Sequence, residues 1–251
     1  MNSFTIAARE LRSLFLSPLA WTLLGVTQLL FAYLFLSQVD YYLTIQAKLA
    51  GITAAPGITD LIVAPILGNA ATILLLITPL LTMRLISDER RNKTISLLFS
   101  APISMTEIIL GKFLATFAFL MVVLLLVSLM PLSLLSIGSL DSGKFLAGLL
   151  GMVLLLASFS ALGVYMSAIA PQPTIAAVGS FGVLLLLWII DWSSNVSDSA
   201  SDVLSYLSIL HHFENLLQGL VNSTDVIYFI LFIGSFLILS IKRLDNDRLQ
   251  K

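Results

Sequence analysis

Long uncharged stretches divide this chain more than any alternation of apolar and polar positions. Residues 13–39, 61–83, 113–140, 145–190 and 226–241 contain no Asp, Glu, Lys or Arg. A bilayer-spanning helix needs about 20 predominantly apolar residues. With their flanks, four of the stretches therefore predict one span each. The stretch 145–190 is too long for one helix, and Pro171-Gln172-Pro173 interrupts it where a helix must end, because proline lacks the amide proton and clashes with the preceding turn. Six spans follow, over residues 19–38, 61–84, 105–135, 145–170, 174–192 and 225–244, giving an all-α integral membrane protein.

Two flanking segments carry helical rather than spanning periodicity. In residues 1–17, Phe4, Ala7, Ala8, Leu11, Leu14 and Phe15 share one face at 100° per residue, with Thr5, Arg9, Arg12 and Ser13 opposite. This predicts an interfacial helix marked by Arg9, Glu10 and Arg12 and broken at Ser17-Pro18. A cleaved signal is not expected, since no compact basic start leads directly into an apolar run. Residues 203–220 form a second amphipathic stretch after the polar run 193–202. Val203, Tyr206, Leu207, Leu210, Phe213, Leu217 and Leu220 make its apolar arc, and Ser208, His211, His212, Asn215 and Gln218 its polar arc, with Glu214 at the edge. It predicts a helix on the face away from the termini, with His211, His212, Phe213 and Glu214 as its candidate functional positions.

Composition agrees with this division. The 251 residues are 58% apolar and only 11% charged, against roughly a quarter charged in soluble domains, so the soluble classes are excluded. A net charge of −1 supplies no basic field for nucleic acid, and without cysteine there is no disulfide framework or zinc knuckle. Six spans put both termini on one side. Arg9, Arg12, Arg84, Arg90, Arg91, Lys93, Lys112, Lys242, Arg243, Arg248 and Lys251 fall on that side, and only Lys48 and Lys144 fall opposite. By the positive-inside rule both termini are expected in the cytoplasm.

Catalytic constellations are thin. There is no HExxH and no GxSxG, and adjacent His211 and His212 point about 100° apart on a helix, too divergent to start a metal site. His211 and Glu214 are spaced to meet as a solvated pair. Gly138, Gly143 and Lys144 match the first part of a phosphate-binding loop, but Phe145 stands where the magnesium-binding hydroxyl belongs. The span interiors show no ionisable side chain of the kind an ion-coupled carrier uses. They do offer small residues, Ala157, Ala161, Gly163 and Ser167 in the fourth span and Gly179 and Gly182 in the fifth. These suit close helix packing, either within one subunit or at a seam between two.

The segment from Arg84 to Lys112 is too elaborate for a connector. A charge cluster, Asp88, Glu89, Arg90, Arg91 and Lys93, precedes apolar Ile95, Leu97, Leu98 and Phe99, and Ala101-Pro102 then stops a helix. Ser104 and Glu107 make a capping box that starts the third span afresh. The apolar side chains project either toward a protein partner or beneath their own bundle. The chain thus reads as one transmembrane domain, 1–251, with this loop at 85–104, the opposite-face segment at 193–224 and a tail at 245–251.

From Glu89 through Thr94, Leu97, Leu98, Pro102 and Ile103 to Gly111-Lys112, the sequence resembles the segment after the second span in ABC-2-type permeases, the membrane subunits of ATP-binding-cassette transporters. Within them it is most similar to the gliding-motility and nitrous-oxide-reductase maturation branch. Arg9-Glu10-Leu11 with Ser17-Pro18, and Leu210-His211-His212-Phe213 with Gly219 and Asp225, fit that branch as well. Lys93 departs from the usual glycine before the threonine, and Ser96 from the usual glutamate.

The resemblance implies a dimer, of two copies or of one with a paralogous permease, in a bacterial cytoplasmic membrane, each subunit bound to a separate cytoplasmic ATPase. ATP and magnesium would sit in that partner, with no cofactor and no nucleic acid on this chain. Asp88, Glu89, Arg90, Arg91, Thr94, Leu97, Leu98, Phe99 and Pro102 would form the main ATPase-coupling segment, and Pro171 and Pro173 a second contact. Two outcomes remain open: export of a lipid-linked, glycan or amphipathic substrate, or transmission of ATPase motion to an accessory protein on the outer face.

Overall fold

The computed structural model describes residues 2–49, 57–95, 103–136, 140–194 and 206–249. Among these residues every regular element is helical, and six helices are long and apolar enough to cross a membrane. The chain is a multi-pass, all-α membrane protein. In order, α1 (Asn2–Leu16) is followed by the spans α2 (Pro18–Leu49) and α3 (Ala64–Thr82), the latter entered through a π-helical turn, Thr59–Val63. A short α4 (Ser87–Arg91) precedes α5 (Met105–Leu132), which ends in a 3-10 turn, Ser133–Ser136. Then come α6 (Ser142–Ile169), α7 (Pro173–Ser194), the short α8 (Ile209–Leu217) and α9 (Ser223–Leu249).

The α6 span is the axis of the bundle. It packs against α3, α5, α7, α8 and α9, and 72% of its most apolar window is buried, against 22% for α2, α7 and α9. Its small residues explain the position. Lipid is as apolar as leucine, so helices associate in it by close van der Waals packing, which small side chains permit. Ala157, Ala161, Gly163 and Ser167 are all buried inside their own chain, and a Cβ at Gly163 would lie 2.7 Å from Thr82 Cβ on α3. Gly182 on α7 faces open space instead, beside Val178, which is 73% exposed. Thr82 Oγ1 donates to the Thr78 carbonyl (2.9 Å) and Ser160 Oγ to the Leu156 carbonyl (2.8 Å), so these hydroxyls enter an apolar setting without an orphan proton, whereas the buried Ser180 Oγ on α7 has no partner among the described residues.

Three expectations are corrected. The first span does not stop at Gln38: α2 continues to Leu49, because residues 39–48 hold neither proline nor glycine, and a polar residue ends an apolar stretch without ending a helix. On α1, Phe4 is 75% exposed and Ala8 is also exposed, while Ile6, Glu10, Leu11 and Leu14 turn inward. Docking of Ile6 over Gly111 of α5 sets that face, where an added Cβ would approach Ile6 within 2.7 Å. Finally, residues 203–220 do not make one helix with the expected arc. Ser208 caps a fresh helix by accepting from the His211 amide (3.2 Å), which rotates Ile209, His212, Phe213 and Leu216 inward and leaves Tyr206, Leu207 and Leu220 exposed. Residues 203–205 lie outside the described residues.

Candidate functional site

The face that carries the termini is organised around the short helix α4. Its first amide groups have no cap from their own segment. Ser167 of α6 supplies one from 80 residues away, its Oγ accepting from Ile86 N (3.0 Å) and Ser87 N (3.2 Å) and donating to the Met83 carbonyl (3.1 Å). One hydroxyl proton and both lone pairs are thereby used. Ser87 Oγ donates to the same Met83 carbonyl.

The charges of α4 then divide. Glu89 turns inward to Lys112 of α5 (Oε1 to Nζ, 2.9 Å), and Lys112 also binds Glu10 of α1 (3.0 Å). Lys112 is 4% exposed and its two partners 21% and 26%, so a cation two turns into the third span joins three helices in a nearly dry setting. Arg90 reaches the other way, to Asp247 of α9 (2.6 Å) and to the Ala168 carbonyl at the end of α6 (2.5 Å), while Asp247 also meets Arg243 (3.4 Å). Glu89 Oε2 and Arg90 Nε are buried with no hydrogen-bond partner among the described residues. Such ion pairs gain little net stability over an apolar contact, but losing one partner leaves a buried charge and is costly.

Asp88 is half-buried, and Arg91, Lys93 and Thr94 are exposed beyond this clamp. The helix ends in a Schellman turn, with the Thr94 amide on the Glu89 carbonyl (2.9 Å) and the Lys93 amide on the Arg90 carbonyl (3.2 Å). Lys93 holds the left-handed position, φ 58°, which accounts for the glycine usual there in the resembled permeases. Ile95 is buried; Leu97, Leu98, Phe99 and Pro102 lie outside the described residues. The expected capping box is present, with Glu107 N donating to Ser104 Oγ (3.2 Å) and Ser104 N donating to Glu107 Oε2 (3.2 Å). Near α4, the turn between α6 and α7 exposes Pro171 and buries Pro173; Arg9 and Arg12 are exposed.

Sequence reasoning missed Lys112, Asp247 and Ser167. Lys112 sits within the third predicted span, contrary to the expectation that no span interior holds an ionisable group, and its place after a capping box was the available signal. Asp247 was readable only as the partner of Arg243 at i,i+4.

On the opposite face the expected solvated histidines separate. His211 is exposed, but His212 is buried, with Nδ1 2.6 Å from Asp225 Oδ1, Nε2 3.0 Å from the Tyr206 carbonyl, and its ring stacked on Tyr228 at 4.1 Å. Asn215 Nδ2 also donates toward Asp225, and Tyr228 Oη donates to the Leu207 carbonyl (2.9 Å). Phe213 is buried and Glu214 exposed. The apparent phosphate loop is occupied by its own residues: Asp141 Oδ1 accepts from the Gly143 and Lys144 amides (2.9 and 3.2 Å), and Lys144 pairs with Asp60 (2.9 Å). Gly138 lies outside the described residues.

Residues 4–246 match the family described as ABC-2 family transporter protein. The chain belongs to that family. It is accordingly a membrane permease subunit of an ABC transporter, and an ABC ATPase subunit is its partner. No curated protein matches the chain.

Proposed function

We propose that this ABC-2 permease works as a dimer in the bacterial cytoplasmic membrane, with both termini cytoplasmic, and couples ATP hydrolysis by its partner to export of a lipid-linked, glycan or amphipathic substrate. ATP and magnesium belong to the ATPase; this chain holds no cofactor of its own. The observation that carries the proposal is the clamp around α4. Glu89 and Arg90 tie the root of the coupling segment to α1, α5, α6 and α9 at once. Displacement of residues 88–102 by a closing ATPase would therefore move helices instead of bending a loop, a two-state shift biased by nucleotide. Arg91, Thr94, Leu97, Leu98, Phe99, Pro102 and Pro171 would face the partner, and Glu89, Arg90 and Lys112 would transmit.

Two variants test the two roles. Leu97→Asp with Leu98→Asp should release the ATPase from folded permease on co-purification. Arg90→Ala should retain the ATPase but abolish the change in its hydrolysis rate on assembly. Full retention by the first, or unaltered rate coupling in the second, would overturn the assignment.

A mechanical role without solute movement is the second reading, favoured by α9. This one helix is held at Asp247 on the terminal face and at Asp225 on the other, where α8 is locked to it through His212. An accessory protein seated on α8 would receive motion through it. Leu210-His211-His212-Phe213, Gly219 and Asp225, which support the gliding-motility and nitrous-oxide-reductase maturation branch, belong to this same region.

A further inference from the structure

A cleft of about 960 Å³ opens between α2, α3, α7 and α8 on the face away from the termini. Its α3 wall is formed by Ala64, Pro65, Gly68, Asn69 and Thr72, with Asp60 of the preceding π-helical turn at its end, while α8 contributes the apolar Leu210, Phe213 and Leu217. Twelve residues separate Asp60 from Thr72, so at 1.5 Å per residue the cleft reaches about 18 Å into the bundle. Asn69 is half-buried within a membrane span, yet its amide makes no hydrogen bond among the described residues, nor do the side chain of half-buried Gln38 or the indole nitrogen of Trp188 across the cleft. An amide moved into an apolar setting without a partner costs about 2 to 7 kcal/mol. These groups therefore face water or a polar ligand.

The chemistry of the lining selects among ligands. A primary amide offers donors and an acceptor side by side, matching vicinal hydroxyls, which also donate and accept. A phosphate only accepts and an ammonium only donates, so either leaves half of each amide unsatisfied. The charges also discriminate. Lys144, the cation that lines the cleft, is taken by Asp60 (2.9 Å), so an anionic headgroup finds no unpaired cation among the described lining residues. Trp188 adds a flat apolar surface of the kind a sugar ring covers.

We propose that this cleft binds an uncharged sugar, with Asn69 and Gln38 reading its hydroxyls and Trp188 its ring face. The proposal rests on the transport reading above and names its substrate class. The test uses full-length permease without ATPase, so its failure leaves ATPase coupling intact, and loss of coupling leaves the binding result standing. Native mass spectrometry would follow retention of diglucosyl diacylglycerol, phosphatidylglycerol and phosphatidylethanolamine of identical acyl chains, with and without millimolar maltose.

Preferential retention of the glucosyl lipid is expected, reduced about fivefold by Asn69→Leu or Gln38→Leu and by Trp188→Leu, and kept by Trp188→Phe. Displacement by maltose would assign recognition to the sugar alone, and resistance to maltose would assign it to the lipid-linked form. Asn69→Leu places a more apolar residue in a span, so folding is not at risk. Equal retention of the three lipids, preference for either phospholipid, or an unchanged preference in Asn69→Leu would overturn the proposal.

Discussion

Asp225 and Asp247 stand 22 residues apart on the unbroken helix α9, and each is tied to a different short helix: Asp225 by a hydrogen bond to His212 of α8, Asp247 by an ion pair to Arg90 of α4. At 1.5 Å per residue the two anchors are about 33 Å apart, the thickness of a hydrocarbon core. One rigid element thus connects the candidate coupling segment to the opposite face. The connection is made by charges placed where each helix leaves the apolar zone.

The His212–Asp225 anchor should be strongly non-additive. Both side chains are almost fully buried, so Asp225→Ala or His212→Ala alone should cost about 3 to 5 kcal/mol by stranding the other group. His212→Phe with Asp225→Leu should cost much less than the sum, since it removes both. Thermal unfolding of the three variants in detergent would show this, and simple additivity would mean the pair is not coupled.

The Lys112 triad should show a graded pattern. Lys112→Met leaves Glu10 and Glu89 facing each other without a cation and should destabilise by about 3 kcal/mol. Glu10→Gln should be milder, because Lys112 keeps Glu89. Adding Glu10→Gln and Glu89→Gln to Lys112→Met should recover most of the loss in melting temperature.

Lys93→Gly should tighten the turn that ends α4. A non-glycine residue in the left-handed region costs about 1 kcal/mol or more, so the Thr94 amide should exchange with solvent about fivefold more slowly in the variant. A β-branched replacement, Lys93→Val, should speed exchange. Hydrogen exchange at that amide is the measurement, and no difference between Gly and Val would remove backbone strain from the account.

Close approach of α3 and α6 should fail on adding a methyl group. Gly163→Ala puts a Cβ 2.7 Å from Thr82 Cβ and Cγ2, one turn from the Ser167 cap. Membrane abundance and melting temperature should fall, and Thr82→Ala in the same chain should restore part of both. Rescue by a distant substitution but not by Thr82→Ala would place the clash elsewhere.

The cysteine-free sequence permits a direct check of orientation. Single cysteines at exposed Asn92 and Gln172 should resist a membrane-impermeant thiol reagent in intact cells, and those at exposed Gln46 and Asn222 should react. Labelling of the first pair would invert the proposed topology.

Much of this protein is local, and the local part was legible. Spans are stretches of apolar side chains long enough to cross a bilayer, and Pro18, Pro173 and the Ser104–Glu107 box act on the neighbouring turn. The count of six, the break at Ser17-Pro18 and the start of α5 therefore followed from sequence alone. Helix faces did not. Phe4 and His212 were misassigned because periodicity ranks faces by hydrophobicity, whereas a face buries what its neighbour can satisfy. Glu10 goes inward since Lys112 is there, and His212 since Asp225 is.

The destination of the α4 charges was hidden for the same reason. Glu89 and Arg90 read as part of one charge cluster with Arg91, yet their partners lie 23 and 157 residues away, and Ser167 caps Ile86 from 81 residues away. Sequence determined that this loop is charged and that the chain crosses the membrane six times. Only the packing of α1, α6 and α9 against it decided which charges stay inside and which point outward, because in low dielectric a charge goes where a counter-charge waits.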